Sequence, residues 1–339
     1  MIDLNYLNRI WKRGTDFLGV KFSILCGAMS WISESNLVAA VSNSGGFGII
    51  AAANMPADML SDVIDKTFEK TKNNFGVNII TVTPYLKEQI DIALQKNIKH
   101  IFFGGGIPNG KDIKRVKEAG SKVICFAPTL SVAKRMIRQG VDALTIEGNE
   151  AGGHIGPVST SLLVQEILLN INEIPIFVAG GVATGEMIAH YISLGAAGCQ
   201  LGTRFVVAEE CIAHDRFKQI FIRAKSRDAV VTAQFDPMLP VIPVRAIVNE
   251  GTREYNELQL KFLQEVKEKK IEVIQAQLKL EEFWLGSLKS AVIDGDVEKG
   301  SLMAGQSVGT VKSIQPAKEI MEELVISAEN KLKAMHNGQ

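Results

Sequence analysis

Ten consecutive residues, Glu147-Gly-Asn-Glu-Ala-Gly-Gly-His-Ile-Gly156, gather two carboxylates, four glycines and one histidine. The ordinary pKa of histidine lies nearest neutrality, so His154 can take up or release a proton at working pH. Glycine has no Cβ, so the backbone amides beside it can approach a ligand closely. The combination suits a planar ligand lying along the backbone, with His154 presented to whatever reacts there. Glycines recur in the same way at Gly27, Gly104-Gly-Gly106, Gly180-Gly-Val-Ala-Thr-Gly185 and Gly202-Thr203. One glycine pair beside a histidine would read as an ordinary solvated turn. Their repetition argues for a site.

Elements must place these groups, and the chain supplies them from residue 22 onward. Short apolar runs stand at Phe22–Cys26, Gly48–Ala52, Gly76–Ile80, His100–Phe103, Lys122–Ala127, Ala143–Ile146, Ile174–Ala179 and Gly198–Gly202. Helical patterns separate them at Ser33–Ser42, Pro56–Lys70, Pro84–Gln95, Asn109–Ala119, Ser131–Gln139, Ser161–Asn170 and Thr184–Leu194. Strands that are apolar throughout belong to a parallel sheet buried on both faces. Eight strands with seven intervening helices predict an α/β fold of the (β/α)8 TIM-barrel type. A doubly wound open sheet is the alternative, but Gly27 lacks the G-x-G-x-x-G pattern expected after its first strand. In the barrel, the glycines fall at the C-terminal ends of strands one, four, six, seven and eight, where such barrels carry their chemistry. Gly180, Gly181, Gly202 and Thr203 follow strands seven and eight, the usual place for a phosphate held by backbone amides.

The texture changes after Phe205. Charge rises over residues 209–287, prolines cluster at Pro237, Pro240 and Pro243, and Glu254–Leu285 carries Leu258, Phe262, Val266 and Ile274 at helical spacing. This predicts a barrel from residues 1–208 and 288–339, interrupted by a smaller helical cap or insert domain at 209–287. Arg245 and Arg253 offer cations there for a phosphate-bearing substrate arm. A glycine-rich loop, Gly295–Gly305, follows, and Ala317–Lys333 reads as the last barrel helix. The final few residues carry no pattern and are expected to be unordered.

Bulk properties narrow the class. Hydrophobic residues make up 46%, enough for a large core in a soluble globular chain. Lysine plus arginine equals aspartate plus glutamate at 37 each, so charge points to neither nucleic acid nor membrane. The four cysteines, Cys26, Cys125, Cys199 and Cys211, have no metal-ligand spacing and suit a reducing compartment. There is no signal-peptide pattern and no apolar run near the ~20 residues that span a bilayer. A cytoplasmic location is expected.

With these residues assembled, the chain resembles the nitronate monooxygenase superfamily of flavin-dependent barrels, above all its branch of type II enoyl-acyl-carrier-protein reductases. The segments that carry the resemblance are Cys26-Gly-Ala-Met29, Ser44-Gly-Gly-Phe-Gly-Ile49, Phe75-Gly-Val-Asn78, Glu147–Gly156, Ala179-Gly-Gly181, Gln200-Leu-Gly-Thr-Arg-Phe205 and Gly295–Gly305. The resemblance implies FMN in the barrel mouth. Gly27, Ala28, Met29 and Asn78 would line the flavin ring, and Gly180, Gly181, Gly202 and Thr203 would hold its phosphate. Glu147 and Gln200 would lie nearby, with Met303 and Ala304 closing over the site. The family usually has Gln-Gly-Gly-Met where this chain has Cys26-Gly27-Ala28-Met29, a change expected to alter contacts at the flavin edge.

His154 is the residue on which chemistry is expected to turn: in a reductase it would hydrogen-bond the thioester carbonyl or help deliver a proton, and in a nitronate oxidase it would take the substrate's α-proton or stabilise the nitronate anion. Three functions follow: NADH-dependent reduction of an enoyl thioester, small-molecule or acyl-carrier-protein-linked; oxidation of alkyl nitronates with oxygen; or a flavin-free phosphate-binding barrel. NADPH is the alternative reductant, and a homodimer is compatible with each. His100, His190 and His214 read as structural, and His336 as tail.

Overall fold

The computed structural model describes residues 4–53 and 55–337. Eight strands form a closed parallel barrel: β1 (Ile24–Cys26), β2 (Phe47–Ala51), β3 (Phe75–Ile80), β4 (His100–Gly104), β5 (Lys122–Phe126), β6 (Ala143–Glu147), β8 (Ile176–Ala179) and β9 (Gly198–Leu201). Leu25 pairs with Phe47 on one side and with Gln200 on the other, which closes the ring. The strand β7 (Gly153–His154) lies outside it, with β10 (Ala229–Val231) and β11 (Val244–Ile247), in a separate antiparallel sheet ordered β10-β11-β7.

Side-chain alternation divides the barrel core into two shells. Leu25, Phe47, Ile49, Phe102, Ile124, Ala143 and Phe177 fill the bore. Ile24, Cys26, Ile50, Val77, Ile101, Val123, Leu144 and Val178 face outward, against the helices. These helices are Ser35–Asn43, Ala57–Lys70, Leu86–Gln95, Gly110–Glu118, Leu130–Arg138, Thr160–Leu168 and Gly185–Ser193. Several start where a polar side chain takes up free backbone amides. Asn109 accepts from Lys111 and Asp112, each at 2.9 Å, and Thr184 accepts from Met187 at 3.4 Å. Each such cap contributes about 1 kcal/mol. The helix Ala317–Asn337 packs between Gly185–Ser193 and Ser35–Asn43 and completes the ring. It extends beyond the expected Lys333, and His336 lies on it, 4.9 Å from Tyr6 between ring centroids. Of the final residues expected to be unordered, 338–339 lie outside the described residues.

Two short helices that the sequence pattern did not reveal, Asn5–Ile10 and Lys12–Leu18, precede the barrel. The buried carboxylate of Glu329 accepts from the amides of Leu7 at 2.9 Å and Tyr6 at 3.3 Å, which docks the first of them on the terminal helix.

The stretch 209–287 differs from the expectation of a helical insert. It holds strands β10 and β11 as well as helices Asp215–Arg223, Glu250–Lys267 and Val273–Lys289. The expected continuous pattern Glu254–Leu285 is two helices, broken where Lys269 adopts φ +58 without a glycine to announce it. The helix pair encloses a small core of its own from Val244, Tyr255, Phe262, Leu263, Leu280 and Trp284. The Tyr255 and Trp284 ring centroids are 4.3 Å apart. Among the described residues no helix is long and apolar enough to cross a membrane.

Candidate active site

The C-terminal end of the bore is closed by polar side chains. Strand register fixes which ones: Glu147 pairs with Ala179, Ala179 with Gln200, and Gln200 with the inward-facing Leu25. Glu147 and Gln200 therefore face the bore at one level. Asn78 pairs with inward-facing Phe102 and joins them from β3. Asn78 and Gln200 are each 7% exposed, and their Oδ1 and Oε1 atoms are buried without any hydrogen bond. The hydroxyl of Thr145, one step deeper, is also unpaired. Leaving a buried polar group unpaired costs about 1–3 kcal/mol, so several at one end of a barrel mark a place that receives polar groups from elsewhere.

Glu147 has the same character. Burial pushes its carboxyl up to about 7, opposed by the charge of nearby His154. The second carboxylate of the loop, Glu150, is spent on structure. It accepts from the amide of Thr160 at 2.9 Å and its hydroxyl at 2.8 Å, capping the helix Thr160–Leu168. Two acids three residues apart thus have opposite surroundings, one bonded to Thr160 and one raised by burial.

The glycines form the rim. Gly180 and Gly181 adopt φ of +90 and +71, a region other residues seldom occupy. A Cβ on Gly180 would stand 2.8 Å from the backbone of Gly148, so the loops after β6 and β8 touch here. A Cβ on Gly27 would stand 3.1 Å from Nε2 of Gln200, and one on Gly202 would stand 3.4 Å from Sδ of Met29. Thr203 Oγ1 accepts from the amide of Gly305 at 3.0 Å, which ties the loop after β9 to the late glycine-rich loop. Within that loop Ala304 is buried against Gly152, and Met303 bridges to Ala246 on β11 beside Gly153. The residues expected to bind the cofactor, from Gly27, Ala28 and Met29 round to Met303 and Ala304, sit on loops at one end of the barrel or, for Asn78, Glu147 and Gln200, on the strands that lead into it.

His154 stands on β7, opposite Val244, with 41% of its side chain exposed. Its Nε2 lies 3.0 Å from Glu281 Oε2 on the helix Val273–Lys289. Glu281 was not singled out in the sequence, because 127 residues separate the two. Trp31 was missed as well. It takes φ +65, rare for a bulky residue, and Lys289 Nζ lies 5.1 Å from its ring centroid.

Two expectations change, those for Arg245 and Cys26. Arg245 is no cation for a substrate arm: it is 6% exposed, and its guanidinium donates to the carbonyls of Asn149 at 2.8 Å and Ala229 at 2.7 Å. Arg253 is exposed. Cys26 points into the barrel–helix shell, fully buried, so its thiol does not face the mouth; burial also pushes the thiol pKa up. Of the unusual Cys26-Gly27-Ala28-Met29 sequence, Ala28 is the substitution near the bore, packed against its apolar cluster. Of the other histidines, His214 Nδ1 accepts from the Arg216 amide at 3.1 Å, and His100 Nε2 lies 3.0 Å from the carbonyl of Phe17.

Comparison with known proteins gives a consistent result. The family described as nitronate monooxygenase matches residues 12–90 and 80–327. The chain is 28% identical to a 5-hydroxy-7a-methyl-1-oxo-octahydro-1H-indene-4-carboxyl-CoA dehydrogenase of Mycobacterium tuberculosis, over 93% of this chain and 95% of that one. It is 29% identical to a probable nitronate monooxygenase of Staphylococcus aureus, over 93% and 97%. Among solved structures, FabK from Thermotoga maritima superposes with a TM-score of 0.86 at 36% identity, over 96% and 99%.

Proposed function

This chain belongs to the nitronate monooxygenase family, and we propose that within it the protein is a flavin-dependent reductase of 2-enoyl thioesters. The observation that carries the reading is the polar floor of Asn78, Glu147 and Gln200 near His154, in which the carboxamide oxygens of Asn78 and Gln200 are buried without a hydrogen bond. Such a floor fits the polar edge of a flavin ring. The rim, where Gly27, Gly180, Gly181 and Gly202 bring backbone close, fits a flat ligand ending in one phosphate. In this reading the cofactor is FMN, which carries hydride between NADH and substrate. Gly27, Ala28, Met29, Asn78 and Gln200 hold the ring; Gly180, Gly181, Gly202 and Thr203 hold the phosphate; Met303 and Ala304 flank it.

The thioester is preferred over a nitronate because one relative is named as acting on a CoA thioester and the other supporting structure is FabK. The 209–287 segment, whose last helix reaches His154, then covers the substrate arm. His154 supplies a proton to the substrate carbon next to the thioester carbonyl. Glu147 shapes the charge below it. Nitronate oxidation is the second reading, supported by the Staphylococcus relative.

One experiment separates these. Denatured protein is expected to release FMN, identified by chromatography. Anaerobic NADH is expected to bleach the flavin, and crotonyl-CoA to restore its colour faster than oxygen with a nitronate. In His154→Ala the flavin stays bound, NADH reduction is near normal, and reoxidation by crotonyl-CoA slows by roughly 10²-fold or more. Wild-type reoxidation by both substrates in this variant would remove His154 from the mechanism. A colourless protein that takes up no flavin would remove the reading itself.

A further inference from the structure

The imidazole of His154 has a hydrogen-bond partner from outside the barrel. Nε2 and Glu281 Oε2 are 3.0 Å apart. Glu281 is half-exposed, yet its place is fixed by its neighbours: Leu280 and Trp284, each 1% exposed, hold the helix Val273–Lys289 in the core it shares with Tyr255 and Phe262. The same helix reaches the loop after β1 through Lys289 and Trp31. Eight residues of helix span about 12 Å, so one rigid element touches the mouth at two separate loops.

A carboxylate can only accept a hydrogen bond, so the proton of this pair is carried by Nε2. In the neutral ring Nδ1 is then a bare lone pair, and in the charged ring it carries the second proton. We propose that Glu281 is a positioning residue that fixes the ring and tautomer of His154 and leaves Nδ1 as the atom that exchanges a proton with substrate. The inference rests on the role given to His154 above. In the reduction, hydride originating from NADH forms a bond to the β-carbon of the enoyl thioester. The double-bond electrons take a proton from Nδ1 onto the α-carbon. His154 is left as the neutral imidazole, still donating from Nε2 to Glu281, and recovers its proton from solvent. The balance is NADH plus a proton plus enoyl thioester, giving NAD and the saturated thioester. Glu147 on β6 acts on the ring through its charge, and Arg245 on β11, beside the residue paired with His154, is committed to backbone carbonyls.

The test compares Glu281→Ala, Glu281→Gln and His154→Nδ1-methylhistidine with the wild type and His154→Ala. Loss of a carboxylate that orients a histidine is expected to cost about 10–100-fold. Glu281→Ala should therefore slow reoxidation by crotonyl-CoA to that extent through kcat, with KM, flavin content and NADH reduction unchanged. Glu281→Gln keeps an acceptor and should recover most of the rate. The methylated ring, blocked at Nδ1, should be as slow as His154→Ala. In cofactor-free protein above neutral pH, nitrogen-15 NMR should show the His154 proton on Nε2 in the wild type and a mixed population in Glu281→Ala. Wild-type turnover in Glu281→Ala, equal loss in the Ala and Gln variants, an active methylated enzyme, or a wild-type ring protonated on Nδ1 would each overturn the proposal. If His154→Ala is impaired while Glu281→Ala is not, only this inference fails. If both are normal, the functional reading fails with it.

Discussion

Ser23, Ser121, His100 and Lys122 stand at the N-terminal end of the barrel, and each has found a backbone carbonyl. Ser23 donates to Ala197 at 2.7 Å and Ser121 to Ile98 at 2.7 Å. His100 and Lys122 both take the carbonyl of Phe17, where the helix Lys12–Leu18 ends over the bore. Asn78, Gln200 and Glu147 stand at the opposite end of the same barrel, and the carboxamide oxygens of Asn78 and Gln200 are buried there without a partner. All eight strands belong to one closed parallel barrel, so the difference lies in what terminates them. One end is tied to the chain's own backbone. At the other, the carboxamide oxygens of Asn78 and Gln200 are buried and unpaired, a cost that the polar groups of a ligand would relieve.

The sharpest way to separate the ends is to damage the one tied to backbone. Gly198 lies where β9 meets β1, and a Cβ there would stand 2.3 Å from the carbonyl oxygen of Ser23. That contact is backbone and cannot swing away. Gly198→Ala is expected to cost about 3 kcal/mol, the upper end for an overpacked core, measured by urea unfolding. NADH reduction of the flavin in the folded fraction should stay normal. A change below about 0.5 kcal/mol, or selective loss of flavin, would show that this end is neither tight nor independent of the site.

The open end should respond with the opposite sign. Asn78→Leu removes an unpaired carboxamide and leaves an apolar side chain facing Phe102 and the bore. The cofactor-free protein is expected to gain about 1 kcal/mol of stability. Flavin affinity is expected to fall about tenfold, equal to a lost hydrogen bond of about 1.4 kcal/mol. Loss of stability with full flavin retention would mean that Asn78 serves the fold, and the comparison would break.

The same contrast explains what was legible in the sequence. The eight barrel strands were visible because burial on both faces makes each an unbroken apolar run, such as Ile176–Ala179. The glycine rim was visible because Gly180 and Gly181 occupy positive φ, which few other residues tolerate. The small sheet was not. β7 is two residues long, and β10 turns Val230 and Val231 outward, each 40% exposed, so neither period nor burial marks them. Glu281 looked like one charge among many on a solvated helix, and only the antiparallel pairing of β11 with β7 sets His154 against that helix. Cys26 was misjudged because a one-residue change of face separates the bore from the helix layer. The unpaired state of Asn78 and Gln200 is a property of three strands in register, which no single segment contains.

The smallest expected effect is a pair of opposed pH slopes, one from each end. Glu147 at the mouth is raised by burial from 4.5 to about 7. Between those values the native protein keeps a proton that the unfolded chain has released, so stability falls as pH rises through the window. His100 at the closed end is lowered by burial from 6.5 to about 4, partly offset by its bond to Phe17. There the unfolded chain binds a proton that the native state refuses, so stability rises with pH from about 4 to 6.5. Where the windows overlap the contributions cancel, and cofactor-free wild-type protein should show a shallow profile across them. Glu147→Gln removes the falling contribution and should expose the rising one; His100→Gln should do the reverse. Urea midpoints taken at several pH values across the overlap read both slopes directly. If Glu147→Gln leaves the profile unchanged, the carboxyl at the mouth is paired in solution, and the open end is less open than its neighbours Asn78 and Gln200 imply.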